Sequence, residues 1–429
     1  MSSTFDRVRV LWPDHLGLAR GKYVPYRLAS RGVRHCTGVW ALGFNREMTM
    51  DTPGANVLGG LPDLDAVFDL ADVRTSWEDA TGVVVADLVK HDQPIGVSPR
   101  GALHRAIAGW EAHGLTPKVG VELEAYFLEP DGHGGWKPLD TPGAYVYGTG
   151  PSVDPHRIID DIWAAADASG IALESVNSEY DTPQFEFTLE YADAMRAADD
   201  VFLFKLLARE ISQRRGLLCT FLGKPIDDRG GSGTHINVSF CDKDGNNVIH
   251  DAADPDGLSS LARHCIAGML EHHSGLAGVC APNVTAYKRL RPASLSGYWA
   301  NWGFDHRGAT IRIPPDRGRA SRLEHRLSDG AAPIHVAMAA VLQAARLGYE
   351  GKLALQPPES GDGFERVDTE AHTPDNLGQA LDALQADTAL VEALGADLVA
   401  QHLAVKRTEW TRFCNAVTDW ELREYLPFL

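Results

Sequence analysis

Four short segments of this chain alternate between apolar and polar side chains with period two, and their polar members are of an unusual kind. In VGVELEAYF, Glu122 and Glu124 stand opposite Val121, Leu123 and Ala125. In PQFEFTLE, Gln184, Glu186 and Thr188 oppose Phe185, Phe187 and Leu189. In THINVSF, His235, Asn237 and Ser239 oppose Ile236, Val238 and Phe240, and in SRLEHRL, Arg322, Glu324 and Arg326 oppose Leu323, His325 and Leu327. Residues two apart share a face of a strand, so each segment predicts a β-strand with one apolar and one polar face. Alternation alone is what any half-wet antiparallel sheet shows. A solvent face, however, mixes lysine and threonine freely, whereas here glutamates, a histidine and arginines recur with little lysine. Carboxylates gathered on one surface repel unless cations neutralise them. Oxygen ligands with at most one imidazole suit Mg²⁺ or Mn²⁺ rather than structural zinc. Two such ions can clamp the oxygens of a transferring phosphoryl group. Arginine supplies the planar, permanently charged fork that phosphate and carboxylate accept.

A chain of 429 residues can bury a large core and hold more than one domain. Strands are expected at 5–12 and 83–89, with a loop-rich stretch between them marked by Gly59-Gly60, Pro53-Gly54 and Pro62-Asp63 turns. This reads as a small β unit over 1–97. A helix over 99–113, with Pro at its start, then opens a larger α+β domain over 98–429. Further strands are expected at 118–128, 183–190, 234–240, 309–313 and 321–327, and helices at 155–168, 191–216, 256–272, 331–349 and 375–404. Net charge of −18 argues against nucleic-acid or anionic-membrane partners. The polar start, Met1 to Arg9, carries no apolar targeting core, and no apolar run approaches a membrane span. The six cysteines form no CxxC pair, as expected for scattered thiols in a reducing compartment, with the cytoplasm as default location.

The same strands, in order, resemble glutamine synthetases. VGVELEAYFLEP resembles the family's G-x-E-x-E-F strand, and SEYDTPQFEF its E-x-x-x-G-Q-x-E segment. GKPIDDRGGSGTHINVSF, NVTAYKRLRP, DHRGATIRIP and SRLEHRLSD resemble four further motifs running to about residue 330. The resemblance implies an N-terminal β-grasp domain and a catalytic funnel of antiparallel sheet flanked by helices. It implies ATP as co-substrate, glutamate and a small amine as partners, and two or more Mg²⁺ or Mn²⁺ ions. It also implies a dodecamer of two hexameric rings with active sites between subunits. Carried over by position, Glu124, Glu179 and Glu186 match ligands of a first metal, and Glu122, His235 and Glu324 those of a second. Arg289, Arg326 and Gly231 match the glutamate site. Arg307, Arg312 and Arg322, with Asn237 and Ser239, match the ATP site, Arg307 and Arg312 acting in catalysis.

The departures narrow the acceptor. Ammonia-using members carry a glutamate in a short flap; here the flap reads Arg289-Leu-Arg-Pro-Ala-Ser-Leu-Ser-Gly297 and puts Leu295 at that position. A second acid, in the family's D-G-S-S motif, is replaced by Arg34-His-Cys-Thr-Gly38. Gly230 stands where an asparagine helps hold glutamate, and Gly361 to Pro374 lacks the tyrosine that some members adenylylate. An ammonium ion needs carboxylates to bind and deprotonate it, whereas a larger amine can be held by apolar contact with a residue such as Leu295. The resemblance agrees, since γ-glutamyl polyamine, ethanolamine and alkylamine ligases lack the flap acid. A base is still required, because an alkylammonium has a pKa near that of lysine, about 10.4. Glu179 and His35 are candidates, His35 reading more readily as a solvated surface residue. The expected activity is ATP-dependent ligation of glutamate to an organic amine. Glutamine synthesis from ammonia, a non-catalytic relative and a nucleotide-independent amide hydrolase are the alternatives.

Overall fold

The computed structural model describes residues 5–50 and 52–429. Near the N-terminus, β1 (Arg7–Pro13), β2 (Ala19–Pro25), β5 (Arg74–Thr75) and β6 (Thr81–Val85) form one small sheet in the order β2-β1-β6-β5. A second takes β3 (Val33–Cys36), β4 (Asp63–Val67), β7 (Asp87–Lys90) and β8 (Gln93–Pro94) in the order β3-β4-β7-β8. The strand expected at 83–89 therefore breaks at Ala86 and serves both sheets, and the stretch expected as loop holds four short strands. Val8, Val10, Trp12, Trp40, Val84 and Leu88 pack between the sheets in a core of their own, as in a grasp fold.

The large sheet has nine strands. Its spine runs β11 (Leu173–Ser178), β12 (Gln184–Asp193), β9 (Thr116–Pro130), β14 (Thr234–Cys241), β17 (Leu323–His325), β16 (Ile311–Ile313), β15 (Trp302–Phe304). β10 (Trp136–Pro138) and β13 (Leu218–Thr220) pair with the outer half of β9. Every pairing is antiparallel except β15 with β16. All four alternating segments lie in adjacent strands, and their apolar members, Leu123, Phe187, Ile236 and Leu323 among them, are wholly buried.

Helices cover that apolar face. α1 (Pro99–Glu111) starts as expected, with Ser98 accepting from Gly101 N and proline in the first turn. α2 (Ile158–Ala168), α3 (Ala194–Arg214), α4 (Ser260–Glu271), α5 (His273–Cys280), α6 (Ala286–Arg289) and α7 (Ile334–Gly351) follow. α7 is buried along most of its length and packs on α1, α3, α4 and α5. The helix expected over 375–404 is instead three: α8 (Leu377–Ala386), α9 (Thr388–Leu394) and α10 (Ala396–Cys414), followed by α11 (Asp419–Tyr425). Asp387 ends α8 and caps α9 by accepting from Leu390 N at 3.1 Å, and Gly395, at φ 106°, turns the chain into α10. Among the described residues no single helix is long and apolar enough to cross a membrane.

Candidate metal and nucleotide site

Register brings the polar faces together. Glu186 lies directly across from Glu124, His235 across from Glu122, and Glu324 across from both Asn237 and Arg312. The result is one acidic patch over β12, β9, β14, β17 and β16. His235 Nδ1 shares a 3.0 Å hydrogen bond with Glu122 and lies 3.7 Å from Glu324; its Nε2 is 3.8 Å from Glu124. Two sets of donor atoms each fall within 4.8 Å of one another: Glu122, His235 and Glu324, and Glu124, Glu186 and His235. The first is the expected second-metal set. In the other, His235 stands where Glu179 was expected. The Glu179 carboxylate, just after β11, accepts from Tyr180 N at 3.1 Å and remains at the margin, within electrostatic reach of Glu124 and His235.

The patch is poorly neutralised by protein groups. Burial, followed by the charge of Glu122, pushes the Glu186 carboxyl up to about 8. Burial and then the charge of Glu124 raise Glu179 as well. Glu122 moves the other way, because the hydrogen bond and charge of His235 outweigh its burial. Burial and Arg326 pull His235 down, yet the bond to Glu122 and the charges of Glu122 and Glu124 carry it above its ordinary value. Buried carboxylates that repel one another form a site that a divalent cation would complete, and the donor set of carboxylates with one imidazole fits Mg²⁺ or Mn²⁺.

Two arginines frame the patch. Arg312 donates to Glu324 and to Asp305, each at 2.6 Å. Arg326 donates to Glu324 through Nη1 and to the Leu295 carbonyl through Nη2 at 3.1 Å, tying the flap to the sheet. Leu295 itself is exposed. Arg289 is buried, and its Nη2 donates to the carbonyls of Leu327 and Ser328. Gln184 holds the glycine turn by donating to Gly231 O at 2.9 Å, and Gly233 N donates to Glu124 at 2.8 Å.

Beside the patch lies a cavity of about 840 Å³, whose walls include Glu122, Asn237, Ser239 and Arg322. Its size suits a nucleotide. Arg322 pairs there with Asp316 at 2.9 Å. Arg307 and Arg312 are off this wall; Arg307 is exposed and without a hydrogen bond or ion pair among the described residues. Arg319 and Tyr191 also line the cavity and were not singled out in the sequence. The run Asp316-Arg-Gly-Arg-Ala-Ser-Arg322 carried a signal for the first, while Tyr191 follows β12's alternation without one. His35 is neither a surface group nor a base at this patch. It is buried in the N-terminal unit, stacked on Trp12 at 4.3 Å, and burial lowers its pKa. The cysteines are free, as expected.

The profile of the glutamine synthetase catalytic domain matches residues 96–425. The chain belongs to the glutamine synthetase family. It is therefore an ATP-dependent carbon–nitrogen ligase of a family that works with divalent metals. A glutamine synthetase of Clostridium saccharobutylicum is 33% identical over 82% of this chain and 81% of its own length. One from Rhizobium meliloti is 32% identical over 98% of this chain and 97% of its own. Among solved structures, apo GmaS superposes with a TM-score of 0.85 at 30% identity, covering 98% of this chain and 97% of GmaS. GmaS in complex with ADP superposes with a TM-score of 0.86 at 28% identity, covering 99% and 97%.

Proposed function

We propose that this family member joins the γ-carboxylate of glutamate to an organic amine. The observation that carries the reading is the flap. Between Arg289 and Gly297 it offers no carboxylate, and among its exposed residues is the apolar Leu295, whose carbonyl is tied to Arg326 at 3.1 Å beside the acidic patch. The likeness to GmaS, a γ-glutamylmethylamide synthetase, supports it.

In this scheme a glutamate γ-carboxylate oxygen attacks the γ-phosphorus of ATP, and ADP leaves. The amine nitrogen then adds to the acyl carbon, phosphate departs, and the nitrogen's proton goes to a base. Glu124, Glu179 and Glu186 would hold one metal ion and Glu122, His235 and Glu324 another. Divalent ions, when bound, spread the negative charge of phosphoryl transfer. Arg307, Arg312 and Arg322 would neutralise phosphate oxygens. Asn237 and Ser239 line the nucleotide cavity, and Arg289, Arg326 and Gly231 surround the acid substrate. Glu179, at the margin of the patch, is the base we assign by position, although a metal ion bound beside it would lower its proton affinity. The same reading carries a double hexameric ring, for which exposed Trp420, Leu426 and Phe428 supply apolar surface.

Glutamine synthesis is the second reading, favoured by the names of the sequence relatives. Phosphate release with ATP, Mg²⁺ and glutamate against a panel of amines, with mass spectrometry of the product, tests the proposal. ADP release that depends on both glutamate and an organic amine, with a γ-glutamylamide formed, is expected. Glutamine as the only amide formed would overturn it.

A further inference from the structure

Arg289, which the proposed function places at the acid substrate, is tied at one end by backbone carbonyls and faces a buried acid at the other. Nη2 is fully engaged by Leu327 O at 2.7 Å and Ser328 O at 3.0 Å. Nη1 makes only a long 3.4 Å contact with Ser296 O of the flap. This nitrogen looks onto the acidic patch: a Cβ on Gly233 would lie 3.2 Å from Arg289 Nη1 and 3.3 Å from His235 Nε2. At the opposite edge, Nε has no hydrogen-bond partner among the described residues, and neither does Asp329 Oδ2, 3.6 Å away.

Asp329 is wholly buried. Its Oδ1 accepts from Ala331 N at 2.9 Å, and the half-buried Lys205, bonded to Gly330 O at 2.7 Å, contributes positive charge nearby. Two glycines make the arrangement possible. A Cβ on Gly223 would fall on the Asp329 carboxylate, and one on Gly231 would fall on the Arg289 stem. The space is shaped around this acid and this arginine.

A guanidinium this deeply buried is costly without a counter-charge. Without Asp329 the strongest anions in reach are the patch carboxylates; Glu124 already acts on it. Arg289 would then turn its charge onto Glu124 rather than onto a substrate carboxylate. We propose that Asp329 is a positioning residue of the ligase, holding the Nε edge of Arg289 so that Nη1 is presented to the acid substrate. The inference rests on Arg289 holding that substrate.

The test compares Asp329→Asn, Arg289→Lys and the double variant, measuring KM for glutamate, amine and ATP. Asp329→Asn should raise the glutamate KM by about tenfold with the ATP KM nearly unchanged, because the perturbed arginine meets only the acid. In the Arg289→Lys background the same change should add little, since residues acting through one another are not additive. A glutamate KM unchanged in Asp329→Asn while Arg289→Lys raises it would overturn the proposal alone. So would equal rises in all three KM values, or full additivity in the double variant. A glutamate KM unchanged in Arg289→Lys would overturn the placement of Arg289 itself, and the inference with it. Should Asp329→Asn not fold, Gly223→Ala displaces the same carboxylate and should raise the glutamate KM selectively; no selective rise would overturn the proposal.

Discussion

Replacing Asp199 by alanine should destabilise the ligase by about 3 kcal/mol. Asp199 on α3 is buried and accepts from Arg100 Nε and Nη2 at 3.1 and 3.0 Å and from His335 Nε2 at 2.8 Å. Arg100, in the first turn of α1, also reaches Asp87 on β7 at 2.6 Å, so these contacts fasten the N-terminal sheets to the helices of the catalytic part. Removing one partner of a buried ion pair costs about 3–5 kcal/mol, because the survivor remains charged and desolvated. Asp87 still compensates Arg100 in part, which puts the expectation at the lower end. Folded pKa values fall for both Asp199 and His335. Burial opposes the Asp199 shift, but the bond from His335 and the charge of Arg100 prevail; burial itself lowers His335. Both groups therefore stabilise the fold above their unfolded values, about 3.9 and 6.5. That stability is lost as pH falls, first through the histidine's window and then the aspartate's. Urea unfolding followed by tryptophan fluorescence, at neutral pH and near pH 4, reads both effects. A neutral-pH loss under about 1 kcal/mol would refute the argument, since the pair would then be no more than a surface contact.

Glu124→Ala and Glu186→Ala should each abolish turnover and weaken Mn²⁺ binding by calorimetry while leaving the circular dichroism spectrum intact; full activity in excess EDTA would contradict the metal assignment. Arg312→Ala should lower kcat by about 100-fold while changing the glutamate KM only a few-fold, as for a group acting on phosphoryl charge. Product analysis should find ADP; AMP would rule out the γ-phosphate chemistry. Leu295→Glu should shift acceptor preference toward ammonia by about tenfold, worth about 1.4 kcal/mol, read from competing kcat/KM values. An unchanged preference would make Leu295 a plain anchor of the flap.

The acidic patch was legible because period two survives burial. Glu324 at 1% exposure and its neighbour Leu323 at 0% both sit in the core, yet on opposite faces, and residue type still distinguishes them. Antiparallel register then converts sequence-distant pairs such as Glu124 and Glu186 into direct neighbours. What depended on tertiary detail was not legible. β2 is almost wholly exposed or half-buried and shows no alternation, so it reads as loop. The breaks at Asp387 and Gly395 interrupt a continuous helical pattern through one cap and one positive φ. His35 is buried by Trp12, which is distant in sequence. Gly223 and Asp329, more than a hundred residues apart, acquire meaning only when one makes room for the other.

The measurement that bears most directly on the account is the ratio of kcat/KM for the best organic amine to that for ammonia in the unmodified enzyme. With no acid on the flap and none at Arg34–Gly38, an ammonium ion lacks the carboxylates it needs, whereas a larger amine gains apolar contact with Leu295. A ratio of at least about ten is expected, the scale that a methylene or two in an apolar pocket supplies. A ratio below one would show that the missing carboxylates do not set the acceptor and that this chain is a glutamine synthetase in activity as well as in family.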